Sequence, residues 1–543
     1  MALRRLFAAS LLIASAMAVA PLSSHFQTFL QHNRAAATGT PLSFMVPKDY
    51  FDNVPEALRP HDKYDSVFMP FCNRNVTSQE QDDYEFQTER WLSTMGLNIY
   101  DGAVWSISSA IQGDLSAVLD YQNNVLWAHK TFQLADIKAD APCKGIMADQ
   151  HCNTSCGFCY GDDDSDQGAA GTLSSINSFF FRMITDYYAI QGTTNALCPE
   201  AKALWTWNDW RPVLGENAWA NILGPVQVSF INAGGDISKI TDDDVGLKLA
   251  TSIIPALKKL QVGDLGCVHY SPHNVWDRYD PDVGSTVSTE NQVSLLAGLK
   301  ALHHLIQSKP GSSHSALLPD LESLIAGLLK YLRSAYSPTL GFFRQGGRFN
   351  RTSGEFTWAT GVAQFAVDCQ TWSLSVLGPE RVDGWFGPGT TEAIWLETLR
   401  LGGYCNATSH SACSGSNYQG VGFSDNREDN VLSGEWTLGA ANMLLVWANQ
   451  TTNETLSGSL LAQAATMRQQ VAETLTHSVN FDDEGPWTHG ASGDAVDYCS
   501  HRYFIPFGWW GNPVPSMAST GWASLVDNNF NPFFLGGGYQ TDY

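Results

Sequence analysis

Positive charge is scarce in this chain. Its 543 residues carry 31 Lys+Arg against 54 Asp+Glu, a formal net charge of -23. A surface of that sign repels phosphate backbones and anionic lipid, so no nucleic acid partner is expected. It also weighs against a polyanionic substrate such as pectate. Long apolar runs are missing beyond the first 20 residues. No later segment approaches the ~18 uninterrupted apolar residues of a membrane span, so membrane insertion is not expected. There is no G-x-S-x-G elbow, no P-loop and no dinucleotide fingerprint, which leaves esterase, ATPase and dehydrogenase chemistry unsupported. His269, His273, His489 and His501 lack a ligating helix motif, and Asp277, Asp280 and Asp282 lack the glycine and terminal glutamate of an EF-hand. No metal or other cofactor is expected. No Pro/Ser linker or low-complexity stretch divides the chain, so residues 21–543 read as one domain.

What is present points to export. "MALRRLFAASLLIASAMAVAP" combines two arginines, an apolar run and small residues at alternating positions. Residues 1–20 are therefore expected to be a secretory signal, and the rest of the chain extracellular. Six N-x-[ST] sequons agree, at Asn75, Asn153, Asn350, Asn406, Asn449 and Asn453. An oxidising destination suits the 11 cysteines. "CNTSCGFC", with Cys143 nearby, reads as a disulfide-bearing insertion near 143–168, with a zinc cluster as the weaker alternative. Cys405 and Cys413 suggest a second local bridge. The odd total leaves a thiol over, and Cys369 is the expected one. The 18 Trp both fill cores and offer faces on which sugar rings stack.

The long periodic stretches are helical. In "STENQVSLLAGLKALHHLI", Leu295, Leu299, Leu302 and Ile306 form one stripe of an amphipathic helix, and Thr289 with Gln292 suggests a capping box. The same design recurs: "YDGAVWSIS" has Asp101, "GENAWANIL" Glu216, "STENQVSLL" Glu290, "VDCQTWSLSVLG" Asp368 and "SGEWTLGAANML" Glu435. These acids lie 115, 74, 78 and 67 residues apart, and the insertion accounts for the long first gap. A weaker sixth copy starts at Ser519. A period of about 70 exceeds the ~20–50 of common solenoid units and suits helical hairpins with generous loops. Thr390 to Gly403 and Leu318 to Tyr336 supply intervening helices. The fold expected is all-α, an (α/α)6 barrel in which the starts of the inner helices converge on one rim. An open helical array is the alternative, and it has no common cleft.

"STENQVSLLAGLKAL", "VDCQTWSLSVLG" and "GEWTLGAANMLL" resemble segments of six-hairpin glycosidases and related (α/α)6 carbohydrate-active enzymes. The resemblance spans residues 90 to 530. It implies acids at inner-helix ends facing a sugar cleft and, for most such glycosidases, inversion at the anomeric centre. The cysteine-rich insertion departs from the compact members.

Glycoside hydrolysis needs one carboxylic acid for the leaving oxygen and a second carboxylate across the ring. Glu290, Asp368 and Glu435 are the catalytic candidates. Glu290 is expected as the acid, Glu435 as the base, and Asp368 as a base or a positioner of a hydroxyl. Asp101, Glu216, Asn291, Gln292, Gln370, Trp372, Trp436 and Trp385 are the expected substrate contacts. A bland explanation competes, since the helix macrodipole stabilises an acid in a first turn by ~0.3–1 kcal/mol without any function. The Trp-rich tail "FGWWGNPVPSMASTGWASL" suits a core seal as well as a subsite wall. The function expected is a secreted, monomeric hydrolase of a neutral polysaccharide or oligosaccharide such as a β-glucan. A polysaccharide lyase or epimerase, or a non-catalytic carbohydrate-binding protein, are the alternatives.

Overall fold

The computed structural model describes residues 23–36, 39–59, 89–90, 93–127, 179, 182–185, 207–209, 213–271, 283–350, 353–408, 410–482 and 485–543. The expected leader, Asn75, Asn153, the 143–168 insertion and the Asp277–Asp282 loop lie outside them. In chain order the helices are α1 (Ser23–His32), α2 (Ile99–Ile111), α3 (Leu115–Asp120) and α4 (Leu214–Asn217). Helix α4 runs through a π-helical stretch (Ala218–Leu223) into α5 (Gly224–Asn232). Then come α6 (Val245–Ser252), α7 (Ile254–Leu260), α8 (Thr289–Gln307) and α9 (Leu318–Ala335). The chain continues with α10 (Val367–Leu377), α11 (Pro379–Phe386), α12 (Thr390–Gly402) and α13 (Gly434–Gln450). Helices α14 (Glu454–Thr474) and α15 (Met517–Asp527) complete the series.

Among the described residues six helices form a closed inner ring. α2 packs on α4–α5, the π stretch between them packs on α8, and α8 packs on α10. α10 packs on α13, α13 on α15, and α15 back on α2. Outer helices cover the ring, with α6 on α5, α9 on α8, α12 on α10 and α14 on α13. The N-terminal α1 lies against α15 and α2, so the first helix completes the last hairpin. This is the (α/α)6 barrel; closure rules out the open array.

Inner and outer helices differ in sequence because they differ in surroundings. Outer α9 buries Leu321, Leu324, Leu328, Tyr331, Leu332 and Ala335, one stripe of a two-faced helix. Inner α13 buries every residue from Gly434 to Ala448 and is built of small and apolar side chains. The leucine stripe of α8 is buried as expected, but so are Val293, Leu296 and Ala297 on its other faces. α8 is therefore packed on more than its leucine stripe, as an inner helix of the ring must be. Its cap differs too. Ser288 is the N-cap, accepting from Asn291 N at 3.5 Å. Thr289 is the first helical residue, and its hydroxyl bonds Arg344 O (2.5 Å) and the Tyr331 hydroxyl (2.9 Å).

One clasp recurs between inner helices and the segments that lead into them. Gln292 accepts from Val268 N at 2.7 Å and donates to Val268 O at 2.8 Å. Gln370 does the same to Phe343, at 2.8 Å each way. Thr437 clasps Val421 (3.0 and 3.1 Å), and Thr520 clasps Val496 (3.0 and 3.5 Å). In three of these helices the clasp sits two residues after the acid: Glu290, Asp368 and Glu435. The repeat is thus a structural unit, and in the sixth copy the equivalent of the acid is Ala518. Cys405 and Cys413 are bridged, and Cys267, Cys369 and Cys499 are buried free thiols.

Candidate active site

Parallel inner helices bring their N-termini to one end of the barrel. Five residues that precede them, Asn98, Val213, Ser288, Ala366 and Ser516, line a single cavity of about 490 Å³. Asn98, Ser288 and Ser516 cap their helices through side-chain oxygens, which satisfies amides that would otherwise be orphaned at the rim. All five acids of the repeat, Asp101, Glu216, Glu290, Asp368 and Glu435, line this cavity.

The aromatic core of the barrel forms its floor. Trp219, Trp372, Trp522, Phe533 and Tyr100 pack together, with Trp372 and Trp522 nearly parallel at 6.0 Å and Tyr100 edge-on to Trp219 at 5.1 Å. Rings of this kind exclude water from the acids above them. Burial accordingly pushes Asp101 and Asp368 up to about 7 and Glu435 up to about 8. Glu290 is held well above the usual carboxylate range, chiefly by burial and then by repulsion from Asp368, with Glu216 and Glu435 adding to it. Burial therefore outweighs the helix N-termini, whose dipoles act in the opposite direction.

Each acid has its own donors. Ser294 Oγ donates to Glu290 Oε1 at 2.6 Å. Asn291 is oriented so that its oxygen accepts from Gly215 N (3.1 Å), which turns its amide nitrogen to Glu290 Oε2. Asp368 accepts from Cys369 N at 2.6 Å. Tyr100 donates to Glu435 Oε1 at 2.6 Å. Glu216 pairs with Arg182 at 3.1 Å. The Ser43 hydroxyl bonds Asp101 and lowers its pKa, less than burial raises it.

Of the other expected contacts, Asn291, Trp372 and Trp436 line the cavity. Gln292 and Gln370 are corrections: both are fully buried, and the backbone clasps consume their amides. Trp385 is also a correction, because it lies on outer helix α11 against Phe386, away from the cavity. The aromatic tail divides between cavity and core. Phe507, Trp509 and Trp510 line the cavity wall while Trp522 is core. Tyr100, Ser294 and Trp219 escaped the sequence reading. The only signal was position: Tyr100 directly precedes Asp101 in "YDGAVW".

Together these features define a six-hairpin helical barrel with a carboxylate-lined, aromatic-floored cavity at the N-terminal end of its inner ring. No family model matches the sequence, and no curated protein is significantly similar to it. Among solved structures the chain is similar to the unsaturated glucuronyl hydrolase of Bacillus sp. GL1, described as responsible for the degradation of glycosaminoglycan. That match has 11% identity, 60% of this chain and 81% of the other covered, and a TM-score of 0.39. A structure described as a wild-type glycosidase is 11% identical over 80% of this chain and 87% of its own, with a TM-score of 0.41. The unsaturated glucuronyl hydrolase of Streptococcus agalactiae is 8% identical over 59% and 72%, with a TM-score of 0.37.

Proposed function

We propose that this protein is an exported glycoside hydrolase that cleaves a neutral polysaccharide or oligosaccharide, such as a β-glucan, with inversion. The observation that carries the reading is the convergence of Glu290, Asp368 and Glu435 on one cavity, where burial and mutual repulsion keep part of the set protonated near neutral pH. One neutral carboxyl and one carboxylate together are what acid-assisted departure and base-assisted attack by water require. Aromatic walls at Trp436, Trp509 and Trp510 suit the faces of sugar rings. A lyase would need a free tyrosine or histidine base. Tyr100 is poorly suited, because its proton is directed at Glu435 and burial raises its pKa well above the ordinary value. Exposed Asn350, Asn406, Asn449 and Asn453 agree with passage through a glycosylating export route.

The direct test is release of reducing ends from neutral glucans, with the anomer of the first product read by proton NMR. Glu290→Gln and Asp368→Asn should each lower turnover by about 10²–10⁴-fold while the fold is kept. Full activity in both variants would sink the assignment. Binding without any product from the wild type would favour a non-catalytic carbohydrate-binding protein.

A further inference from the structure

Two indole nitrogens below the cavity set the sense of the hydrogen bonds that reach the glutamates above them. An indole N–H can only donate. Trp522 Nε1 donates to the Tyr100 hydroxyl at 2.7 Å, which leaves the single phenolic proton for Glu435 Oε1 at 2.6 Å. Trp219 Nε1 donates to Ser294 Oγ at 3.0 Å, and Ser294 Oγ in turn donates its hydrogen bond to Glu290 Oε1 at 2.6 Å. In both glutamates Oε1 is thus a fixed acceptor, and any proton must ride on Oε2.

The second oxygens differ. Glu290 Oε2 receives the Asn291 amide, whose orientation Gly215 N locks from behind. One donor on each oxygen favours the anion, and the Asn291 amide opposes the rise that burial and Asp368 impose on Glu290. Among the described residues no amide locks Glu435 Oε2 in this way, and that oxygen is where a neutral carboxyl carries its proton. The sixth repeat, which has Ala518 in place of an acid, supplies the indole of Trp522 instead.

On the hydrolase reading, we infer that Glu435 is the proton donor, acting through Oε2, and that Tyr100 and Trp522 are the residues that position it. Glu290, adjoining Asp368, is then the base, which exchanges the roles expected from the sequence. In the step this implies, the Oε2 proton of Glu435 moves to the glycosidic oxygen. The bond from that oxygen to the anomeric carbon breaks with its electron pair on the oxygen. Water bonds to the carbon from the opposite face and gives its proton to Glu290. The groups facing Glu435 are Tyr100 and Asp101 on α2, Glu290 on α8, Asp368 on α10, and Tyr498 in the segment between α14 and α15.

The test compares Glu435→Gln, Glu290→Gln and Tyr100→Phe on phenyl and dinitrophenyl β-cellobiosides. Loss of the proton donor should cost ~10²–10⁴-fold on the phenyl substrate. It should leave the dinitrophenyl substrate, which needs no protonation, within about tenfold of wild type. Glu290→Gln should be slow on both. Tyr100→Phe removes a hydrogen bond that holds Glu435 down, so the alkaline limb of its pH profile should move to higher pH. A merely structural role would lower turnover and leave the limb in place. Rescue of Glu290→Gln in place of Glu435→Gln overturns the assignment. Infrared spectroscopy at pH 7 gives a readout without substrate: Glu435→Gln should remove a neutral-carboxyl band from the wild-type spectrum. A spectrum unchanged by that substitution also overturns the assignment. Wild-type inactivity on every glycoside defeats the hydrolase reading alone, and the infrared band then decides the protonation assignment.

Discussion

The hydroxyl of Tyr100 donates to Glu435 Oε1 across 2.6 Å, although the two residues lie 335 positions apart in the chain. The bond crosses the ring from α2 to α13, two inner helices separated by α15. It joins the aromatic floor to the acids and makes the protonation of the cavity a property of the barrel rather than of any one helix.

Stability should fall as pH rises. Asp101 and Asp368 move from 3.8 to about 7 on folding, and Glu435 from 4.5 to about 8. Between those limits the folded chain holds more protons than the unfolded one, so each unit of pH favours unfolding. The stability is fully present below the unfolded pKa values and lost as pH climbs through the folded ones. Melting should therefore be higher at pH 5 than at pH 8, and Glu435→Gln should flatten the slope. A melting temperature that rises across this window contradicts the burial of the cluster.

Gly215→Ala should damage activity more than folding. A Cβ there would lie 2.8 Å from Asn291 Cγ and 3.1 Å from Glu290 Oε2, so the Asn291–Glu290 contact would have to open. The check is turnover against melting temperature in the same preparation. A tenfold or greater loss of turnover is expected, since misplacing a reacting group by about 1 Å can cost 10²-fold.

Gln370→Ala separates a structural amide from a sugar-binding one. It would leave the N–H and C=O of Phe343 without their buried partners, at about 1–3 kcal/mol for each group. Urea denaturation should show the loss, while KM for any glycoside that the wild type cleaves stays unchanged. A raised KM with undiminished stability would return Gln370 to the substrate.

Arg502→Met should be strongly destabilising. Arg502 meets both oxygens of buried Glu89 at 2.6 and 2.8 Å, donates to Leu58 O at 2.8 Å, and lies over the cavity-wall ring of Trp510 at 4.5 Å. Removing one partner of a buried pair costs about 3–5 kcal/mol because the other charge is stranded. Glu89→Gln combined with Arg502→Met should recover part of it, as a double-mutant cycle would measure.

Helices of two kinds, the acids at inner-helix starts and the Cys405–Cys413 bridge were legible because each depends on local pattern. Burial on one face writes a stripe such as that of α9, and a helix start favours an acid whatever lies beyond it. The same locality explains the misreadings. Gln292 and Gln370 sit beside acids in the sequence, but a side chain two residues further round a helix points elsewhere, here to backbone. Trp385 shares only its residue type with the cavity-wall rings. Thr289 looked like a cap because the register of a helix start is ambiguous by one residue without its backbone.

The sequence by itself determined that six helical units recur and that five of them begin with an acid. Spacing alone was enough for that, since each unit buries its own face under the same constraints. Only the tertiary structure decided that α15 closes on α2. Closure gathers Glu290, Asp368 and Glu435 above one aromatic floor, where burial raises their pKa values. It also decided which oxygens accept from Ser294 and Tyr100, because those donors come to their partners through contacts with indoles far away in the chain.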